Sequence, residues 1–358
     1  MSDAVTHLLA ELVRIPSTSG NESSLADYVL AWLGARGVDA VRLGDNVVAE
    51  IARGRGARLM LNSHLDTVPA SDGWLDDPFD VEWRDGRLVG LGANDAKASG
   101  AAMLAALVDV ANEGAAGSFR GTLQLVLTAC EETTNRGMGE VLDALGRPDM
   151  AVTGEPTGLA VVRTQAGLGV LRAVWEGRSC HAAHALTVDH ENALLAAARA
   201  LADWEPAWCL GAPHALIGPT TIVPTTFVAG ERRNVVPSRA EAVFDVRLAP
   251  PTTARDAADA LARRLPTARI EILSERLPPV ETPADHPLVL AALRATGDAA
   301  AIGSPTLSDM ALLAGVPAIK CGPGETRRSH TPNEFVTRDE LSAAHAVYRS
   351  LALLALAT

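Results

Sequence analysis

Apolar residues recur at helical spacing over residues 3–14 and again over 22–36, the i, i+3, i+4 repeat that lines one helix face. The second run opens after Ser19-Gly20-Asn21 and stops at Gly37, a suitable start and stop for a helix. Short apolar runs at 47–51 and 58–63 predict strands, and an alanine-rich stretch at 97–112 predicts a helix. GTLQLVLTAC (121–130) and DMAVTG (149–154) read as two further strands. Strands alternating with helices imply an α/β sheet, in which ligands collect at the carboxyl ends of the strands.

From residue 167 the pattern changes. Strands are predicted at 170–177, 220–230, 239–249 and 268–273, with helices at 191–204 and 252–265. That β-α-β-β-α-β order is the split, ferredoxin-like motif. Residues 278–287 read as a linker, and a helix, strand and helix at 288–297, 316–321 and 338–356 complete the first sheet. The expected fold class is therefore α/β: a discontinuous domain over 1–166 and 276–358, with a second domain inserted at 167–275.

A chain of 358 residues is long for one core, which agrees with two domains. Its 31 basic and 43 acidic residues give a net charge of −12, which argues against nucleic acid or an anionic membrane as partner. Cys130, Cys180, Cys209 and Cys321 are scattered, with no zinc-knuckle or disulfide pattern. The N-terminal stretch reads as an amphipathic helix rather than a signal peptide, and no run reaches the roughly 18 apolar residues of a membrane span. A reducing cytoplasm is the expected location.

The strand ends carry the chemistry. Residues 59–67, LMLNSHLDT, run from an apolar strand into His64 and Asp66, which alternation would place on one face. Asp95 precedes the alanine-rich helix, Glu131 and Glu132 follow the strand ending at Cys130, Glu155 follows the next, and His330 lies beyond the strand near Cys321. Two histidines and three carboxylates suit a pair of divalent ions, zinc foremost and also manganese or cobalt. A bridging carboxylate holds such ions about 3.5–4 Å apart. A neighbouring carboxylate that is not a ligand can take a proton from water, so the doublet Glu131-Glu132 can divide base from ligand.

NSHLDTVP, GLGANDAKAS, CEE, GEPT, NVVP, DVR and the run from GPG to SHTPNEF occur in that order along the chain. Together they resemble the di-zinc aminoacylase and carboxypeptidase family, which includes acetylornithine deacetylase, succinyl-diaminopimelate desuccinylase and glutamate carboxypeptidases. The resemblance implies a metal-binding catalytic domain with an inserted lid and dimerisation domain. It implies that His64 and Glu155 hold one metal, Glu132 and His330 the other, with Asp95 between them. Asp66 would orient His64, and Glu131 would be the general base. His181 would donate to the oxyanion, in this family often from the other subunit of a homodimer. Asn234 and Arg247 match substrate-binding positions; the plain alternative for Arg247 is a strand-face salt bridge. Gly322 and Gly324 would let the backbone approach a ligand closely. Ser308 either contacts substrate or caps the helix that follows, and His184 reads as a surface histidine.

The segment from Gly303 to Val336 resembles the acetylornithine deacetylase branch. The implied reaction is hydrolysis of an N2-acyl-L-ornithine in arginine biosynthesis. The expected acyl group is acetyl. A succinyl group would need a further cation such as Arg163, Arg327 or Arg328. Succinyl-ornithine, acetyl-citrulline, acyl-lysine, succinyl-diaminopimelate and dipeptides are the rival substrates, and a catalytically degraded binding protein is disfavoured because Glu131 and all five ligand candidates are present.

Overall fold

The computed structural model describes residues 2–113 and 119–357, which fall into two compact units. The larger comprises Met1–Arg163, Glu281–Gly303 and Ser308–Thr358; the smaller comprises Thr164–Val280 and Ser304–Leu307.

At the centre of the larger unit four parallel strands lie in the order Gly121–Thr128, Arg58–His64, Met150–Thr153, Ala318–Lys320. Leu59, Met60, Leu61, Leu123, Leu125 and Leu127 are buried, as expected of parallel strands covered on both faces. The helices Ser2–Arg14, Lys97–Asn112 and Arg338–Ala355 pack on one another, and all contribute to one apolar core. The last begins with a reciprocal cap in which Thr337 accepts from the Glu340 N–H and Glu340 accepts from that of Thr337. Among the described residues no helix is long and apolar enough to cross a membrane.

Several elements depart from the sequence pattern. Ala40–Leu43 forms a hairpin with Asn46–Arg53, turning at Gly44 with φ of 62°. The helix Arg136–Leu145 was not anticipated, because two glycines dilute its apolar repeat. The strand expected to reach Cys130 ends at Thr128, and Cys130 lies beyond it in the left-handed region with φ of 56°.

The smaller unit is an antiparallel sheet in the order Trp208–His214, Gly218–Ala229, Arg239–Leu248, Gly167–Glu176, Arg269–Leu277. Ala240, Ala242, Phe244, Val246 and Leu248 alternate into a core shared with the helices Ala193–Leu201 and Ala254–Arg264. The last four strands have the ferredoxin-like order. The edge strand Trp208–His214 was not foreseen; Gly211 and Pro213 interrupt any alternation there.

Candidate metal centre

The four parallel strands deliver the candidate residues to their carboxyl ends. His64 closes its strand, opposite Thr128. Glu131 and Glu132 lie three and four residues past Thr128, and Glu155 lies two past Thr153. Asp95 sits just before the helix Lys97–Asn112, and its peptide bond to Ala96 is cis. His330 comes from the loop after Ala318–Lys320, with φ of 58°. His64 Nε2 is 3.3 Å from Asp95 Oδ1, while His330 Nε2 is 3.7 Å from Asp95 Oδ2 and 3.1 Å from Glu132 Oε1. One ligand atom each from His64, Asp95 and Glu155 lie within 4.8 Å of one another, and so do those of Asp95, Glu132 and His330. Asp95 belongs to both groups and turns one oxygen toward each histidine. Two nitrogens and three carboxylates, grouped as overlapping triads, fit two divalent ions sharing a carboxylate.

Buried polar groups hold this arrangement. His64 Nδ1 lies 2.9 Å from the backbone oxygen of Asp66 and 3.5 Å from its carboxylate. The ring N–H at Nδ1 therefore donates to the carbonyl, which fixes the ring so that Nε2 faces Asp95, the nitrogen that would ligate a metal. Strand alternation does not account for this pair, because the strand stops at His64. The buried Asp66 carboxylate instead clamps the acidic doublet. Its Oδ1 accepts from the Glu131 N–H at 3.0 Å, and its Oδ2 accepts from the Glu132 N–H at 3.1 Å and from Ser19 Oγ at 2.7 Å. Glu22 accepts from the Cys130 N–H at 2.9 Å, so two carboxylates pin three successive peptide groups. On the Asp95 side, Glu334 accepts from the Gly92 N–H at 2.5 Å. Lys97 Nζ donates to the carbonyls of Leu12 and Ile15 at 3.0 and 2.9 Å.

Gly322 and Gly324 allow close approach within the protein. A Cβ on Gly322 would lie 2.5 Å from the Glu155 carbonyl oxygen and from Ser99 Oγ. One on Gly324, at φ of 77°, would lie 2.2 Å from Asn94 Oδ1. These contacts seat the loops carrying Glu155 and Asp95.

Burial and crowding of like charge set the protonation. Burial pushes the Glu131 carboxyl well above its usual range; Glu155, Asp309 and Glu132 add to this and His64 opposes it. Burial beside Asp95 raises Glu155 to about 8, against His64 and Lys320. The hydrogen bond to Glu132 raises His330 to about 9. Such mutual repulsion among buried acids is what bound cations relieve.

The other candidates fall in two places. In the smaller unit, His181 Nδ1 accepts from the Ala183 N–H at 3.2 Å, which leaves the proton of a neutral ring on Nε2. Asn234 lies beside it, its amide 3.5 Å from His181 Nε2 and its carbonyl accepting from the Ala182 N–H at 2.9 Å. His184 is exposed, its ring 5.7 Å from that of His181. Arg247 Nε donates to Asp245 Oδ1 at 2.8 Å, the strand-face pair. In the larger unit Ser308 is buried and accepts from the Met310 N–H at 3.3 Å, a capping geometry. Cys130 and Cys321 are buried, as core residues.

Residues 60–354 match the profile of a known family, described as Peptidase family M20/M25/M40. The chain belongs to that family. It is thus a metal-dependent amidohydrolase. Among M20 relatives, an acetylornithine deacetylase of Proteus mirabilis is 27% identical over 365 residues, covering 92% of this chain and 91% of that one. A provisionally named LysW-lysine/LysW-ornithine hydrolase of Pyrobaculum aerophilum is 33% identical over 295 residues, covering 81% and 78%. The structure of the YXEP protein of Bacillus subtilis, described as a dinuclear metal-binding M20 peptidase, superposes with a TM-score of 0.77. It covers 99% of this chain and 98% of its own at 18% identity, a likeness of fold. The M20 fold accounts for both units, a catalytic domain and a smaller inserted one.

Glu22, Lys97 and Glu334, which pack around the site, carry no signal of their own as strand-end residues. Lys97 and Glu334 lie inside the recognised motifs GANDAKAS and SHTPNEF, which was the available signal.

Proposed function

We propose that the protein hydrolyses the amide of an N2-acyl-L-amino acid, with N2-acetyl-L-ornithine as its substrate in arginine biosynthesis. The observation that carries this reading is the pair of triads meeting at Asp95, with Glu131 held beside them by the same clamp that holds Glu132. When bound, two divalent ions, zinc foremost, polarise the scissile carbonyl and make water acidic enough to ionise near neutral pH. Glu131 takes the proton from the attacking water on its carboxylate and returns it to the leaving nitrogen. The raised proton affinity of that carboxylate suits both halves of the task. His181, with its proton on Nε2, donates to the developing oxyanion. Asn234 orients substrate beside it, and the substrate α-carboxylate engages Arg247 in exchange for Asp245. A homodimer formed through the smaller unit supplies His181 from the partner subunit.

The acyl group is acetyl. The three arginines that could meet a succinyl carboxylate have acidic partners, as Arg247 does, so a succinyl group would have to displace a second such pair. Arg163 binds Glu281 at 2.7 Å, Arg327 pairs with Glu325, and Arg328 pairs with Glu325 and Glu340 at 2.7 and 2.9 Å.

The test is kcat/KM for N2-acetyl-L-ornithine against N2-succinyl-L-ornithine, acetyl-citrulline, acetyl-lysine, succinyl-diaminopimelate and a LysW-carried ornithine. The acetyl compound is expected to lead. A tenfold advantage for any non-ornithine substrate, about 1.4 kcal/mol of transition-state preference, would refute the ornithine assignment. A like advantage for succinyl-ornithine or the LysW-carried form would refute the acetyl assignment.

A further inference from the structure

Beside Glu131 runs a line of buried polar side chains to which the proposed reaction assigns no role. Thr128, the last residue of its strand, donates from Oγ1 to Asp309 Oδ2 at 2.7 Å. The other oxygen of Asp309 accepts from Asn135 Nδ2 at 3.1 Å. The same Asn135 nitrogen donates to Glu131 Oε1 at 3.2 Å. Asp309 is 1% exposed and Asn135 is 7% exposed.

The geometry fixes the chemistry. Both partners of the Asn135 amide are carboxylates, so it is the NH2 group and not the oxygen that lies between them. An NH2 group has two hydrogens, and here each has its own carboxylate. Asn135 cannot turn away, because its backbone is also held: its N–H donates to the Cys130 carbonyl at 2.7 Å, and its φ of 52° lies in the left-handed region that asparagine tolerates. A buried carboxylate with nothing to accept from would carry a heavy cost. Asp309 instead accepts from both Thr128 and Asn135, which locks the amide from behind.

We propose that Asn135, locked by Asp309, is a positioning residue for Glu131. It occupies one carboxylate oxygen and so fixes the plane of the group, aiming the other oxygen for proton transfer. Asp66 fixes the backbone of Glu131; Asn135 and Asp309 fix its side chain. Two residues 174 positions apart in the chain thereby join the machinery without touching substrate. The assignment rests on Glu131 being the base.

Asn135→Gly removes the amide while keeping a residue at ease with positive φ. It is expected to lower kcat about ten- to a hundredfold, the scale of a small misplacement of a catalytic group. KM and metal stoichiometry should be unchanged. Asn135→Asp, an isosteric change that sets a third carboxylate between two others, should lower kcat at least as far. Asp309→Ala should match Asn135→Gly, whereas Asp309→Asn, which keeps a carbonyl oxygen for the Asn135 amide, should retain most of kcat. The double variant Asn135→Gly/Asp309→Ala should lose no more than Asn135→Gly alone. Unchanged kcat in Asn135→Gly, multiplicative losses in the double variant, or losses that follow metal content would each overturn the proposal. Glu131→Gln, measured alongside, separates the two readings. If it stays active, the base assignment fails and this inference with it. If it is inactive while Asn135→Gly is not, only the positioning role fails.

Discussion

Glu131 and Glu132 are neighbours with one backbone clamp and different proposed tasks. Glu132 lies 3.1 Å from His330 and belongs to a metal triad, whereas Glu131 belongs to neither. Glu131→Gln should therefore keep both metals and lose kcat by about a hundredfold or more. Glu132→Gln should lose metal first. Metal analysis of both purified variants with their kcat values checks this, and the reverse pattern would exchange the two roles. The doublet and His64 were legible in the sequence because they stand where apolar runs stop, and Asp95 and His330 because they lie in the motifs GLGANDAKAS and SHTPNEF. Asn135 and Asp309 were not. Neither has a local pattern that distinguishes it from a turn or cap residue, and their meeting depends on packing of the helix Arg136–Leu145 beside the 3-10 turn Asp309–Leu313. Asp66 was legible beside His64, whereas its hold on the Glu131 and Glu132 backbone was not, because that contact joins segments far apart in the chain.

At the scale of elements, the parallel strands were readable because burial on both faces makes them nearly continuous apolar runs. The hairpin strand Ala40–Leu43 and the edge strand Trp208–His214 were not, since each is only partly buried and owes its existence to pairing. The strand ends also decide how the metal centre answers to pH. Glu155, beyond Met150–Thr153, holds its proton up to about 8 when buried beside Asp95 without a cation. A carboxylate must be ionised to bind a metal, so binding expels that proton below pH 8. Affinity for the ion on the His64–Glu155 side is expected to rise at least about tenfold per pH unit from 6.5 toward 8, because His64, buried but held well above its usual range by its hydrogen bonds to Asp66 and Asp95, must also give up a proton. Competition titrations of metal-free protein with Zn2+ or Co2+ across that range check the slope. An affinity independent of pH would contradict it.

At the scale of the whole molecule, the metal centre belongs to the larger unit and His181 to the smaller. If the partner subunit supplies His181, then a His181→Ala subunit and a Glu131→Gln subunit, each inactive alone, should complement when mixed. About a quarter of the native sites' worth of activity should return in an equal mixture at random exchange. That follows because half the dimers are mixed and each has one intact site in the proposed arrangement. No recovery, with subunit exchange verified by mass, would place His181 in the same subunit as the metals it serves.

The chain order of the ligands has a consequence for synthesis. His64, Asp95, Glu132 and Glu155 precede the smaller unit, and His330 follows it. So does Ala318–Lys320, the strand that extends the central sheet next to Met150–Thr153. On the ribosome, nearly all of the smaller unit is complete while the larger still lacks a strand and one triad lacks its histidine. Domains fold as units as they emerge, so the inserted domain can form first, and the first four ligands must wait for the chain to return. The hydrolase is switched on late in its own manufacture, when the chain beyond residue 330 has left the exit tunnel.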